Sequence, residues 1–324
     1  LELTMPQTQL FDTVAIDPAL TRDQLVCLTL KYKFGLMNGR IIAGLPRDWH
    51  NFALQQINKI EDEILKKRLK GVLQQLDLSG AILPKDVPFD RKKAWVEVIK
   101  AETSKTHFNV LICDEPVEHD PLYSSSEIDE YIEESENKVG FLDVSQLTTP
   151  DSFIPLLNPF LKKHKKIVLV NRHQWLQATA KERDLFQTVF KHWAAQGGND
   201  FTVIRSSLDS QYEPRPFSSR WSEETKELEK FLLASSYSGT FRFIAVNDQT
   251  DRLHHRYLLG NYCGISMDYG LEINSKPHPW QLLNQAHFKA ARERFFVGDI
   301  QTEYPEHHIF LYRENGNKIV RLSN

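Results

Sequence analysis

The sequence predicts an α/β protein with a mixed, mostly parallel sheet, preceded by a mainly helical N-terminal region. Three observations carry that expectation. From Phe153 onward, short apolar runs alternate with amphipathic helical patterns, and parallel neighbours need such helical crossovers. The run Phe241, Phe243, Ala245 has the period-two spacing of a strand, and Tyr257 to Leu259 follows it across a polar turn. In residues 1–90 the apolar positions fall mostly at helical spacing.

Length and composition bound the answer. The chain has 324 residues, 41% hydrophobic and 26% charged, enough for one large core or two ordinary ones. A net charge of −3 gives no global pull towards nucleic acid or anionic lipid, so any such binding must come from a local patch. Three cysteines without Cys-x-x-Cys spacing argue against a disulfide framework and structural zinc. That cysteine usage fits a reducing, cytoplasmic setting, no apolar run is long enough to span a bilayer, and the first residues lack the order of a signal peptide.

Taken in order, Thr21 to Gln24 resembles a capping box, opening a helix with Leu25, Leu28 and Tyr32 on one face. Ile41, Ile42 and the turn at Gly44 to Pro46 lead to a long helix from about Asp48 to Leu76. Its apolar residues are Phe52, Ile57, Ile60, Ile64, Leu65 and Leu69, and its basic run Lys66 to Lys70 reads as a solvated face rather than a phosphate site. The Pro-rich and Asp-rich loop Pro84 to Asp90 marks a boundary, giving a helical region 1–90 and an α/β domain 91–324. A short helix near Trp95 precedes the strand Phe108 to Cys113. Asp120 to Asn137, acidic and Ser-rich, reads as a loop, and Val139 to Val144 as a strand.

The regular part then runs helix 153–161, strand 167–170, helix 181–195, a Gly-Gly turn, strand 201–204, helix 223–234, the Phe241 strand and a hairpin into Tyr257. A final hairpin joins Ile309 to Tyr312 with Ile319 to Leu322. The ligand site of such a sheet lies beyond the carboxyl ends of its strands. Asn171-Arg172-His173, Arg205-Ser206-Ser207 and His254-His255-Arg256 each follow a strand, so all three can line one crevice. Guanidinium, imidazole and hydroxyl groups brought together suit a phosphate or another oxyanion. Arg172, His173, Arg205, Ser207 and His255 are therefore candidate ligand-binding residues.

Several alternatives stand beside this reading. His254 and His255, adjacent in a strand, point to opposite faces, so at most one faces the crevice. His307-His308 has the same limitation, and no partner lies at a metal-ligand spacing. Asp114 and Asp143, both at strand ends, could hold a divalent cation, although acidic residues are common there in any α/β protein. Ser206-Ser207 also fits a helix cap or a loop pair. The tract Tyr212 to Trp221 mixes aromatic and basic residues as single-stranded nucleic-acid binders do, and equally reads as a surface loop. No metal and no cofactor is expected.

The order of elements and the stretch Leu253-His254-His255-Arg256-Tyr257-Leu258 resemble one half of a phospholipase D-like fold. That superfamily's signature is His-x-Lys, four residues, then Asp. At this spacing the chain carries His254, Arg256 and Asn261. Arg256 and Tyr269-Gly270-Leu271-Glu272 are also similar to the phospholipase D-like C-terminal domain attached to microtubule-interacting-and-trafficking domains, a variant with His-Asp-Arg that is not known for catalysis; His255 departs from its aspartate. The resemblance covers Lys166 to Ile273.

For the family, the resemblance implies attack of one histidine on phosphorus, while a second histidine protonates the leaving oxygen. The implied catalytic set is His254, Arg256 and Asn261. With one signature per chain, catalysis implies a homodimer that faces two copies of His254. Arginine can clamp the spreading charge, whereas Asn261 can orient a histidine without supplying a carboxylate's charge. The expected function is thus a non-catalytic or weakly catalytic module binding a phosphate-bearing ligand, either nucleic acid or phosphoester, or a protein partner. The alternative is a metal-independent phosphodiesterase or nuclease acting through a His254 phosphohistidine.

Overall fold

A computed structural model describes residues 8–85, 93–102, 108–172, 180–206, 226, 228, 230–246, 253, 255–297, 307–314 and 317–323. It is an α/β protein in which the chain divides into two compact units, Leu1–Leu142 and Asp143–Asn324. That division falls well beyond the boundary expected near residue 90. The first unit needs strands from both sides of position 90 to complete one sheet.

That sheet has five strands: β1 (Asp12–Ile16), β2 (Arg40–Gly44), β3 (Ile82–Pro84), β4 (Val110–Ile112) and β5 (Leu122–Tyr123). Their spatial order is β3-β2-β1-β4-β5, with every pairing parallel. The described part of residues 1–90 supplies three of these strands, alternating with the helices of that region. A central parallel strand is buried on both faces and shows no alternation. Arg40–Gly44, buried at all five positions, has that character and gives no period-two signal.

Helices cover both faces. On one side Val14, Ile16, Ile42 and Ile112 pack with α1 (Gln24–Lys33), α2 (Trp49–Asn58), α3 (Glu63–Leu78) and α5 (Ile128–Ser135). On the other, Ala15, Ala43 and Leu111 pack with Val96 and Ile99 of α4 (Trp95–Glu102). Three details of the helices differ from expectation. The cap of α1 is Asp23, whose carboxylate accepts from the backbone N–H groups of Leu25 and Val26, while the Thr21 hydroxyl donates to the Pro18 carbonyl. The buried stripe of α1 is Val26, Cys27 and Leu30, leaving Leu25 and Tyr32 in solvent. The expected long helix is two, because Asp62 caps a new start at α3 through Ile64 and Leu65 N–H.

A fourth difference is α5, in the stretch expected to be a loop. Ile128, Tyr131, Ile132 and Ser135 fall at i, i+3, i+4 and i+7 and are buried, while the acidic residues between them face water. A capping box between Ser124 and Glu127 precedes it.

The second unit is organised on a nine-stranded sheet that includes β6 (Phe141–Asp143). The further strands are β7 (Lys166–Val170), β8 (Asp200–Ser206), β9 (Thr240–Val246), β10 (Tyr257–Leu259), β11 (Gly264–Met267), β12 (Pro279–Leu282), β13 (His307–Glu314) and β14 (Asn317–Ser323). Their order is β14-β13-β9-β8-β7-β10-β11-β12-β6. Strands β7, β8 and β9 are parallel, and β10 to β12 and β13 to β14 are antiparallel additions on either side. Helices α6 (Phe153–Lys163), α7 (Ala180–Ala195) and α8 (Gln285–Arg292) belong to this unit, and residues 230–234 are helical. Phe186, Phe190 and Trp193 of α7 lie edge-on to Phe201 of β8, which stacks on Phe241 of β9. This aromatic layer packs α7 across β8 and β9.

One expectation about this sheet fails in an informative way. The Phe241 strand and Tyr257–Leu259 do not form a hairpin. Strand β9 is flanked by β8 and β13, whereas β10 pairs with β7, two strands further on. The edge of β9 is taken by the C-terminal hairpin, whose longer ladder offers more backbone pairing than three residues of β10 could. Among the described residues, no helix is long and apolar enough to cross a membrane.

Candidate functional site

The displacement of β10 decides which side chains meet. Val170 of β7 pairs with Ile204 of β8 on one side and with Tyr257 of β10 on the other. Successive residues alternate faces. Asn171, Arg205 and Arg256 are each one step from this paired row, so all three leave the same face at the carboxyl edge of the parallel strands. Two arginines thus flank one amide on adjacent strands, with their Cα atoms about 10 Å apart from twice the inter-strand spacing. Just beyond this row the Ser206 N–H donates to the Arg172 carbonyl at 3.3 Å.

The surroundings fix this row. Asn171 and Arg205 are buried, at 6% and 3% exposure, and Arg256 is partly exposed. The Arg205 Nε donates to the Ser206 carbonyl at 2.8 Å, turning its guanidinium along the edge. The Arg256 Nη1 donates to the Asp268 carbonyl at 2.6 Å. That carbonyl opens the turn Asp268 to Leu271, whose Gly270 sits against the Asn171 amide at φ +100°.

Behind this turn lies His278, a residue the sequence reading passed over. Its Nε2 accepts from the Tyr269 N–H at 3.2 Å and the Trp280 Nε1–H at 3.1 Å, so the neutral ring carries its proton on Nδ1. Burial holds its pKa down to about 4; the Arg256 charge adds to this, and Asp268 and Asp143 oppose it. The signal in sequence was weak: a single histidine between prolines just before a strand.

The expected residues divide into four groups. His173, Ser207 and His254 lie outside the described residues, as does the tract Tyr212 to Trp221. Arg172, Arg205 and Arg256 come to the carboxyl edge. His255 reaches the same edge, exposed, with its ring stacked 6.0 Å from Tyr257. Asn261 does not join them.

Asn261 sits in the turn between β10 and β11, where Gly260 N–H donates to the Cys263 carbonyl. Leu259 pairs with Val168, so this turn lies at the opposite end of β10 from Arg256. Three strand residues separate the two positions, and a strand rises about 3.3 Å per residue. Arg256 and Asn261 of the signature spacing therefore lie at opposite ends of β10, because the chain turns back at Gly260 only after that strand. The neighbour of that turn is His164, whose Nε2 accepts from the Tyr262 N–H at 3.2 Å and whose Nδ1 lies 2.7 Å from the Phe160 carbonyl. It is a fully buried, neutral histidine, held by burial at a pKa of about 3.

The two strand-end carboxylates have local work. Asp114 Oδ1 accepts from the Ser125 N–H at 2.7 Å. Asp143 Oδ1 accepts from the N–H groups of Ser145 and His278, both at 2.9 Å, which lowers its pKa. Among the described residues, no group of three or more His, Cys, Asp or Glu is placed to hold a metal ion. The five-stranded sheet has its own switch point between β1 and β4. There Asp17 caps a turn through the Ala19 N–H, and burial first, then Glu115 and Asp114, raises its pKa. Cys113 beside it is a buried thiol pushed up to about 11 chiefly by desolvation, so it is no nucleophile at neutral pH.

No protein-family model matches the chain, and no curated protein sequence matches it. Two guanidinium groups at a strand-end edge, each with its planar fork oriented by a backbone carbonyl, are donors that match a phosphate or carboxylate.

Proposed function

We propose that the second unit is a binding module for a phosphate-bearing ligand, nucleic acid or phosphoester, engaged at the carboxyl edge of its nine-stranded sheet. The observation that supports this is the level placement of Arg205 and Arg256 on either side of Asn171. Arg205 is almost fully enclosed, and an enclosed guanidinium holds an anion more strongly than a surface lysine because water competes less. Arg256, partly exposed and near the exposed His255, is the member that an incoming ligand reaches first. The phospholipase D-like resemblance points to the same ligand class. Asn261, at the far end of β10, favours binding over catalysis within this reading.

The test is a titration of the full chain with inorganic phosphate, pyrophosphate and a short single-stranded oligonucleotide, followed by thermal shift and calorimetry. Saturable binding that weakens about tenfold in Arg256→Ala, as expected for one lost charge-assisted contact, supports the proposal. Equal affinity in the variant overturns it. Metal-free hydrolysis of a generic phosphodiester, abolished in His254→Ala and accompanied by a dimer in solution, would replace the binding role with the phosphodiesterase one.

A further inference from the structure

The first unit contains a cleft of about 520 Å³, remote in sequence from the residues of the arginine edge. It opens at the amino ends of β1 and β4, with α5 along one wall, and a volume of this order suits a small organic molecule. Its floor holds Asp12, 3% exposed. The Asp12 Oδ2 accepts from the Tyr131 hydroxyl at 2.8 Å, while Oδ1 is enclosed and receives no hydrogen bond. A buried carboxylate oxygen without a donor is costly and calls for an explanation.

The nearest positive side chain does not supply that donor. Arg40 pairs with Asp12 across the two strands, yet its Nε donates to Ser135 Oγ at 2.7 Å and its Nη2 to the Ile132 carbonyl at 3.1 Å. The guanidinium is thereby drawn to α5.

Of the other polar groups around the floor, the Ser135 hydroxyl donates to the Ile132 carbonyl at 3.0 Å, and the phenols and Glu134 offer acceptors. Burial, then the Asp12 charge, drives the Tyr131 hydroxyl far above its ordinary pKa, and burial, then Glu134, pushes Tyr123 up to about 12. Both phenols keep their protons and spend them on carboxylates, Tyr131 on Asp12 and Tyr123 on Glu134 at 3.1 Å. What remains without a donor is lone pairs: the Asp12 Oδ1, enclosed beneath the cleft, and, on its lining, the Tyr123 oxygen and the second Glu134 oxygen. The two rings lie 5.5 Å apart at 52°, and their faces attract positive charge. Of the donors on the rim, Lys138 lies 3.9 Å from Glu134, and the Asn109 amide donates to Gln9 at 3.0 Å.

We propose that this cleft is a binding site for a small organic cation bearing a primary ammonium or guanidinium group. The cation rests against Tyr123 and Tyr131, is flanked by Glu134, and on entering the floor supplies the donor that the enclosed Asp12 Oδ1 lacks. An anion would meet the lone pairs of Asp12 and Glu134, whereas Arg40, beside Asp12, spends its Nε and Nη2 donors on α5, so the unfilled acceptors select for a donor-bearing cation.

Calorimetry of the full chain at low salt tests this, with agmatine and putrescine as probes and succinate as the anionic control. The expected result is one saturable site for at least one of the two cations and none for succinate. Asp12→Asn keeps an acceptor for Tyr131 but points an amide towards the ligand, and should weaken binding at least tenfold. Glu134→Gln, at an exposed position, should weaken it several-fold with an unchanged melting temperature. Val139→Trp, on the cleft wall, should block entry. Absence of binding by both cations, equal binding of succinate, or undiminished affinity in folded Asp12→Asn overturns the proposal. Should Asp12→Asn fail to fold, undiminished affinity in both Glu134→Gln and Val139→Trp overturns it instead.

Discussion

Gly270 lies so close to Asn171 that a Cβ at position 270 would come within 2.7 Å of its Nδ2 and 2.8 Å of its Oδ1. With φ at +100°, a side chain there is strained before any contact is considered. Asn171 is the amide between Arg205 and Arg256, so the glycine turn holds the centre of the proposed anion site. Gly270→Ala should destabilise the second unit by about 2 kcal/mol or more, from backbone strain plus displacement of a buried amide. Phosphate affinity should fall with it, and a melt with and without phosphate separates the two effects.

Arg256→Lys distinguishes a fork from a point charge. Lysine keeps the positive charge but loses the planar donor pair and the contact to the Asp268 carbonyl. The expected outcome is an affinity between wild type and Arg256→Ala, with the dependence on salt largely retained. Titrations at two ionic strengths provide the check.

His164 and His278 make the second unit acid-sensitive. Both are held neutral in the folded state, with pKa values of about 3 and about 4, against an ordinary 6.5. The unfolded chain therefore binds more protons between those values and 6.5, and stability rises with pH across that window. It is complete above about pH 6.5 and falls as the solution is acidified, by about 1.4 kcal/mol per pH unit for each histidine. Denaturant melts between pH 7.5 and 4.5 should show this decline, and His164→Gln should reduce its slope.

The face assignment of α1 yields a paired prediction. Leu30 is fully buried and Leu25 is 76% exposed. Leu30→Ala should cost about 2–5 kcal/mol, while Leu25→Ser should stay within about 0.5 kcal/mol. Chemical denaturation of both variants is sufficient.

Helix α3 begins where Asp62 accepts from Ile64 and Leu65 N–H. Asp62→Ala should cost about 1 kcal/mol, as a lost cap does, and Asp62→Ser should restore most of it. Thermal melts compare the three chains.

What could be read from the chain alone followed the periodicities that packing leaves visible. Strands β7, β8 and β9 and helix α7 were legible because turn residues separate runs of matching length, and Gly197-Gly198 punctuates α7 from β8. The first unit was not. Ile41 and Ile42 lie in a strand buried on both faces, where alternation vanishes, and Leu25, Leu28 and Tyr32 offered a second apolar stripe that the core does not use. The acidic surface of α5 masked Ile128, Tyr131 and Ile132, which a count at intervals of three and four would have found. At the candidate site, Arg172, Arg205 and Arg256 lie at the strand ends where the alternation of runs put them. Local spacing misplaced Asn261, because sequence neighbours across β10 sit at opposite edges of the sheet. The pairing of β10 with β7 is a long-range choice that no short motif records.

That pairing also limits how the protein can be dissected. Strand β10 protects a side of β7 that would otherwise present unsatisfied backbone groups along a run of valine, leucine and isoleucine. A fragment ending after Val246 would retain the three parallel strands while baring that flank and also the flank of β9 that β13 covers. Such a truncation should self-associate through these uncovered strands, so deletion mapping from the C-terminus would report aggregation before it reported any loss of ligand.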